Sequence, residues 1–260
     1  MQPPLPLSVA VLTRNEQHNL PRCLESVRGL AAELVVVDSG STDRTAEIAR
    51  AAGARFFVEP WPGIVAQRNH ALARCTQPWV LCLDADEALS PELAQAIRGL
   101  FAAGEPAGAG FWINRRTWFL GQWIRHAWQP EWRLRLVRRA GARCAGRDPH
   151  DHLEAAGATQ RLTGDLLHYS FRDLRDFLEK NLRYARVGAE SLAADGQVCR
   201  WRHLVLWPLA AFLKPLVLKQ GWRDGWRGWI IAAAAMFNVL AKYAFLLERR
   251  LAPAEKDIDK

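Results

Sequence analysis

Two phosphate-cradling signatures are missing from this chain, and so is any paired-cysteine framework. The strand-like LSVAVLT (7–13) runs into RNEQHN, which has no glycine, so neither G-x-x-x-x-G-K-[ST] nor G-x-G-x-x-G can form there. That argues against P-loop NTPases and Rossmann dehydrogenases. It also argues against a nucleotidyltransferase, which would carry a Gly-rich basic loop at that point. The five cysteines (Cys23, Cys75, Cys82, Cys144 and Cys199) are scattered and odd in number. With no CxxC pair among them, they point to reduced cytosolic thiols rather than disulfides or a zinc site. The opening MQPPLPLSVAVLTRNE lacks a basic n-region, and its apolar run is too short for a signal peptide, so a cytosolic protein is expected. Internal repeats and low-complexity tracts are also missing.

What is present is charge, unevenly placed. The 260 residues carry a formal +8, yet residues 111–150 hold nine arginines against two acids, and residues 196–251 hold nine Lys or Arg against two acids. The remainder is therefore acidic. Such segregation calls for an anionic partner: nucleic acid, a phosphorylated substrate or an acidic membrane surface.

The first hundred residues alternate in type. Apolar strands are predicted at 7–13, 33–38, 54–60 and 79–84, each followed by a helical pattern. Near-continuous apolar strands separated by single helices imply an α/β fold with a mostly parallel central sheet covered on both faces. In such sheets ligands bind beyond the carboxyl ends of the strands. Thr13, Arg14, Asn15, Glu16, Asp38, Asp84 and Asp86 all fall there. Beyond residue 108 the strands lengthen and fill with Trp and Arg, residues 141–170 are mixed, and from about 172 the pattern is helical.

The stretch WVLCLDADEALSP (79–91) sets Asp84, Asp86 and Glu87 at the end of a buried strand. Ser90 then suits an N-cap, with Pro91 and Glu92 in the first turn. Three carboxylates this close repel unless something cationic joins them. A divalent ion, Mg²⁺ or Mn²⁺, held by Asp86 against a diphosphate would do so, with Asp84 as a second ligand or bracing a ribose or metal-bound water. Asp38 suits a base or ribose, Glu16 a ribose or a neighbouring Arg, and Arg68 the phosphates. The RLRLVRR run reads equally as a phosphate contact or as a half-buried strand. The Trp residues between 112 and 132 read as sugar-stacking or core, with Trp128 and Trp132 placed nearest an acceptor.

The set SVAVLTRNEQHNLPRCLESV, VVVDSGSTDRT, QRNHAL and LCLDADE resembles family 2 glycosyltransferases of the GT-A fold, in which the acidic pair is the DxD motif. The segments FLGQWIRHAW, RLRLVRR, PHDHL, LLHYSFRDLRDFLEKNLRYA and GWRDGWRGW resemble small bacterial transferases that add a β-linked glucose to the lipopolysaccharide inner core. The resemblance implies a UDP-hexose donor, UDP-glucose above all, and a lipid-linked heptose acceptor. It also implies inversion by a single displacement. Relatives place a His-acidic pair as base, which here is His150-Asp151: Asp151 as base and His150 positioning it or the acceptor. His152 is the alternative base.

The domain reading that follows is a catalytic domain over 1–170, with a nucleotide half (1–105) and an acceptor half (106–170), and an amphipathic helical extension over 171–260. The tail interleaves Trp with basic residues, and Asn238 and Lys242 share a face of the apolar stretch 229–247. That favours helices lying on the cytoplasmic face of the inner membrane over a span. The rivals are a related transferase with a polyprenyl-phosphate, capsule or O-antigen acceptor, and a non-enzymatic nucleic-acid or membrane binder. The latter leaves the acidic rim unexplained, and no nucleic-acid partner is expected.

Overall fold

The computed structural model describes residues 3–102, 104–147 and 150–251; the side chains of Arg147 and His150 lie outside that description. Four strands, β1 (Leu5–Thr13), β2 (Ala31–Asp38), β3 (Arg55–Val58) and β4 (Trp79–Asp84), pair in parallel in the order β3-β2-β1-β4. Their connections are α1 (Leu20–Ser26), α2 (Thr45–Ala51) and α3 (Ile64–Arg74), and α4 (Pro91–Ala102) follows. Side chains alternate along β1. Leu7, Val9 and Val11 pack against α1, α2 and α4, while Ala10 and Leu12 face α3 on the other side. Both faces are thus buried, which is why these strands read as continuous apolar runs.

The register decides where the site lies. Thr13 stands opposite Asp38, and Leu12 opposite Asp84, so three strands deliver short polar side chains at one level of the rim. Past β4 the sheet continues differently. After the three-residue β5 (Glu87–Leu89) come β6 (Gly110–Phe119), β7 (Gln122–Trp123) and β8 (Trp132–Arg138). β8 runs antiparallel between β4 and β6, and β7 pairs with β6. The mixed region resolves into a separate hairpin, β9 (Arg143–Arg147) with β10 (His150–Glu154), and a strand β11 (Thr159–His168) antiparallel to β5. Gly164 lets β11 cross the start of α4: its φ is +89°, and a Cβ there would lie 2.4 Å from the backbone nitrogen of Leu93. Ser90 caps α4 as expected, its hydroxyl accepting from the Leu93 N–H at 3.2 Å.

The chain folds as two compact units, and the first, up to Arg116 together with Glu131–Tyr169, holds the sheet. The second comprises Thr117–Pro130 and the chain from Ser170. On sequence, residues 117–130 were placed in the catalytic domain. They group with the helical unit because Phe119, Ile124 and Ala127 are buried with Phe177, Ile231 and Ala234. Trp128 packs partly buried against the same core, its ring 5.5 Å from that of Phe119.

The helical unit is built from α5 (Leu174–Ala194), α6 (Trp201–Leu213) and α7 (Trp226–Leu251). α6 passes through Pro208 without stopping and widens into a π turn at Lys214–Leu218, which absorbs Pro215. The GWRDGWRGW segment clasps residues 117–130. The buried Asp224 carboxylate accepts from the backbone N–H groups of Arg125, His126 and Ala127 at 3.0, 3.0 and 2.8 Å, and Arg227 donates to the Leu120 carbonyl at 2.7 Å. α7 is long and apolar enough, by length and composition, to cross a membrane. It packs on its neighbours, with Tyr243 and Leu246 buried alongside Ala189, and the Asn238 amide donates to the Asn181 carbonyl at 2.7 Å.

Candidate active site

The three carboxylates of the DADE turn differ in their partners, although Asp84 and Glu87 share Arg135. Glu87, 1% exposed, points inward: it accepts the Asp84 backbone N–H at 3.0 Å and pairs with Arg135 at 2.7 Å and Arg115 at 3.4 Å. Asp84 divides its oxygens between Arg68 at 3.0 Å and Arg135 at 2.7 Å. Burial works to raise the Asp84 carboxyl, but Arg135 and Arg68 hold it well below the usual carboxylate range. The positive charge that the sequence assigned to a metal is supplied here by arginines. With both oxygens engaged by arginines, Asp84 anchors the rim in this arrangement.

Asp86 lies outside that network. Its Oδ2 sits 3.3 Å from Nε2 of His168. Burial would raise this carboxyl too, but His168 lowers it, and the net direction is down. The pairing of β5 with β11 brings His168 there, setting it opposite Glu87, and the Tyr169 N–H donates to the Asp86 carbonyl at 2.8 Å. His168 was missed on sequence. Its only signal was a lone histidine ending an alternating strand, 82 residues beyond Asp86. Among the described residues, no group of three or more His, Cys, Asp or Glu is arranged to hold a metal. An acidic oxygen beside an imidazole nitrogen nonetheless offers two ligands, and Mg²⁺ or Mn²⁺ commonly takes its remaining ligands from phosphate and water.

Helix α3 fastens the site through three consecutive residues. The Gln67 amide donates to the Ser39 hydroxyl at 3.2 Å, in the loop after β2. Arg68, its side chain 3% exposed, bridges Asp84 and Asp151, reaching the latter with Nε at 3.1 Å. Asn69 pairs with both backbone groups of Cys144, at 3.0 and 2.8 Å, and so holds the β9–β10 hairpin that carries Asp151. Arg68, expected at the phosphates, here ties Asp151 to the rim through Asp84. Burial pushes the Cys144 thiol beside Asp151 up to about 11, so it stays protonated and inert at neutral pH.

The remaining rim residues shape loops. Asp38, 1% exposed, accepts from Thr13 Oγ1 at 2.9 Å and from the Gly40 and Ser41 N–H groups at 2.9 and 2.7 Å. Asn15, at φ +56°, accepts from the Thr42 N–H at 2.8 Å. Glu16 accepts from the Asn19 amide at 2.9 Å. The Thr13–Asp38 and Asn15–Thr42 bonds join the first two rim loops to each other, so these polar side chains help to order the rim itself. The side chain of His150 lies outside the described residues.

Asp84, Asp151 and four arginines (Arg68, Arg115, Arg133 and Arg135) line one cavity of about 210 Å³, together with Trp112, Trp132 and His152. Two carboxylates, a wall of guanidinium groups and two indoles thus share one small space.

The profile of the family described as Glycosyl transferase family 2 matches residues 8–158. A lipopolysaccharide core biosynthesis glycosyltransferase of Rhizobium meliloti, LpsC, is 32% identical over the whole of this chain and 98% of its own length. An uncharacterized glycosyltransferase of Rickettsia typhi is 30% identical over 91% of this chain and 86% of its own. Among solved structures, residues 1–349 of TarS from S. aureus align with a TM-score of 0.48 at 16% identity, covering 94% of this chain and 91% of that one.

Proposed function

The chain belongs to glycosyltransferase family 2, and from that premise we propose that it moves a hexose, glucose from UDP-glucose, onto a heptose of the lipopolysaccharide inner core or a similar membrane-held glycan. The observation that carries this reading is the shared cavity: Asp151 stands in the same space as Asp84, joined to it by one guanidinium. That shared guanidinium supports a base held close to the donor rim.

Transfer is a single displacement with inversion. The acceptor O–H bond breaks and its proton passes to a carboxylate oxygen of Asp151. The acceptor oxygen bonds to the anomeric carbon as the bond to the diphosphate breaks, its electron pair leaving with the nucleoside diphosphate. Arg68 aims Asp151 before the step, its Nε 3.1 Å from the carboxylate. The indoles of Trp112 and Trp132 wall the space and exclude water. Asp86 and His168 are the residues to hold Mg²⁺ or Mn²⁺, which when bound supplies Lewis-acid stabilisation of the leaving diphosphate.

Thermal unfolding with a panel of nucleotide diphosphate sugars, with and without Mn²⁺, tests the donor. A ligand that binds only the folded state raises the midpoint by mass action. A metal-dependent rise specific to UDP-glucose is expected; a rise only with another nucleotide sugar would refute the glucose assignment.

The helical unit supports a membrane-held acceptor. Leu218, Trp222, Trp226 and Trp229 are 78, 58, 55 and 54% exposed, among Lys214, Lys219 and Arg223. Indoles and cations so mixed suit the headgroup level of an anionic bilayer. The double variant Trp222→Ala, Trp226→Ala should lower partitioning onto phosphatidylglycerol vesicles by about tenfold or more, since each large apolar side chain withdrawn from water contributes about 1.5–3 kcal/mol. Undiminished co-sedimentation would rule out this surface as the docking face.

A further inference from the structure

The cavity beside Asp151 bears on the identity of the acceptor. Asp86 and His168, assigned above to the donor diphosphate, do not line it. At about 210 Å³ it is smaller than the roughly 300–1,000 Å³ usual for whole drug-sized ligands and suits one sugar unit with a substituent. The four guanidinium groups lining it are bonded to four carboxylates: Asp84, Glu87, Glu131 and Asp151.

That balance holds only while Asp151 is ionised. When Asp151 takes the acceptor's proton, four cations face three anions, and the surplus falls on Arg68. Two N–H groups of the set, Nη1 of Arg68 and Nε of Arg135, are buried with no hydrogen-bond partner in the structure. Leaving donors so placed costs free energy, so this set of guanidinium groups holds more donors than its carboxylates satisfy. Arg133 is the most open of the four, its side chain 43% exposed. An anion here gains attraction as Asp151 is neutralised, so it is held more tightly in the transition state than before it, and that is the condition for it to speed the step.

We propose that this cavity binds an acidic group, a phosphate ester or a carboxylate, carried by the acceptor sugar beside the hydroxyl that is glycosylated. The assignment rests on the transferase reading with Asp151 as base. It makes Arg133 a specificity-determining residue: it selects a charged acceptor over its neutral counterpart without touching the donor.

The test uses the full chain, UDP-glucose with Mn²⁺, and three acceptors: a methyl heptoside, its monophosphate ester and the same heptoside bearing a carboxylate. At least one charged acceptor should be preferred by about tenfold or more in kcat/KM, the scale of a charge-assisted contact, and which one is preferred identifies the acid. Arg133→Gln should reduce the preference to less than about threefold, with unchanged unliganded stability and unchanged stabilisation by UDP-glucose, and Arg133→Lys should restore part of it. Equal use of neutral and charged acceptors by the unmodified protein would overturn the proposal. Loss of donor stabilisation in Arg133→Gln would also overturn it, by assigning the arginines to the diphosphate. An unmodified protein that neither binds nor consumes any nucleotide sugar would fail at the transferase reading itself, and this inference would fall with it.

Discussion

Replacing Asp86 with Asn is expected to reduce hexosyl transfer by at least about 10³-fold in kcat, equivalent to roughly 4 kcal/mol of transition-state stabilisation. The protein should still fold. Asp86 stands apart from the arginine network, and its partner is His168 at 3.3 Å, so the amide leaves no buried cation without a counter-charge. The metal-dependent part of donor stabilisation should vanish with the activity. His168→Ala should shift the Mn²⁺ requirement upward in the same direction, because it removes the other ligand. Transfer at an undiminished rate in Asp86→Asn would remove this residue from the diphosphate site and return the metal to Asp84, against the ion pairs that Asp84 makes.

Asp151→Asn should leave donor binding intact and lower kcat by about 10²–10⁴-fold, the range for removing a positioned base. Arg68 divides its donors between Asp84 and Asp151, and the asparagine carbonyl can still accept from its Nε, so the hairpin should keep its place. The informative readout is the split between the two quantities. Equal loss of donor stabilisation and turnover would mean that Asp151 shapes the donor pocket, and His152, which lines the same cavity, would become the base to examine. A variant that binds donor normally but turns over slowly at every pH supports proton transfer to Asp151.

How far the sequence led depends on the kind of contact. Parallel pairing puts strand ends at a common level, so the rim that gathers Thr13, Asp38 and Asp84 could be read from apolar runs and their terminal residues alone. The family likeness singled out Asp151, which lines the same cavity as Asp84. What stayed hidden was the way each polar group is spent. Asp38 and Asn15 look like ligand-binding residues, yet their oxygens are taken by Thr13, Ser41 and Thr42; no pattern of residue types reveals a loop-closing bond. Glu87 reads as one of three clustered carboxylates, but the turn after β4 brings it back beside Asp84, where both meet the buried Arg135. His168 depends on an antiparallel pairing between strands far apart in sequence, and single-sequence reasoning has no purchase on that. Trp128 shows the same limit from the other side. An indole in a basic, aromatic stretch reads as a binding platform until its ring is found against Phe119 and Phe177.

The excursion between β6 and β8 has an evolutionary consequence. Residues 117–130 leave the sheet-bearing unit, complete the core of the helical unit and return. No single cut in the gene separates the two bodies: a fragment beginning at Ser170 would lack Phe119 and Ile124, and a fragment ending at Tyr169 would carry them with nothing to pack against. Recombination could not append this helical tail to an existing catalytic domain in one event, nor exchange it for another without rewriting a loop inside the sheet. The two bodies are therefore inherited as a set, and an amino-acid change in one side of the shared core, such as at Phe177, restricts what is tolerated more than fifty residues upstream at Phe119.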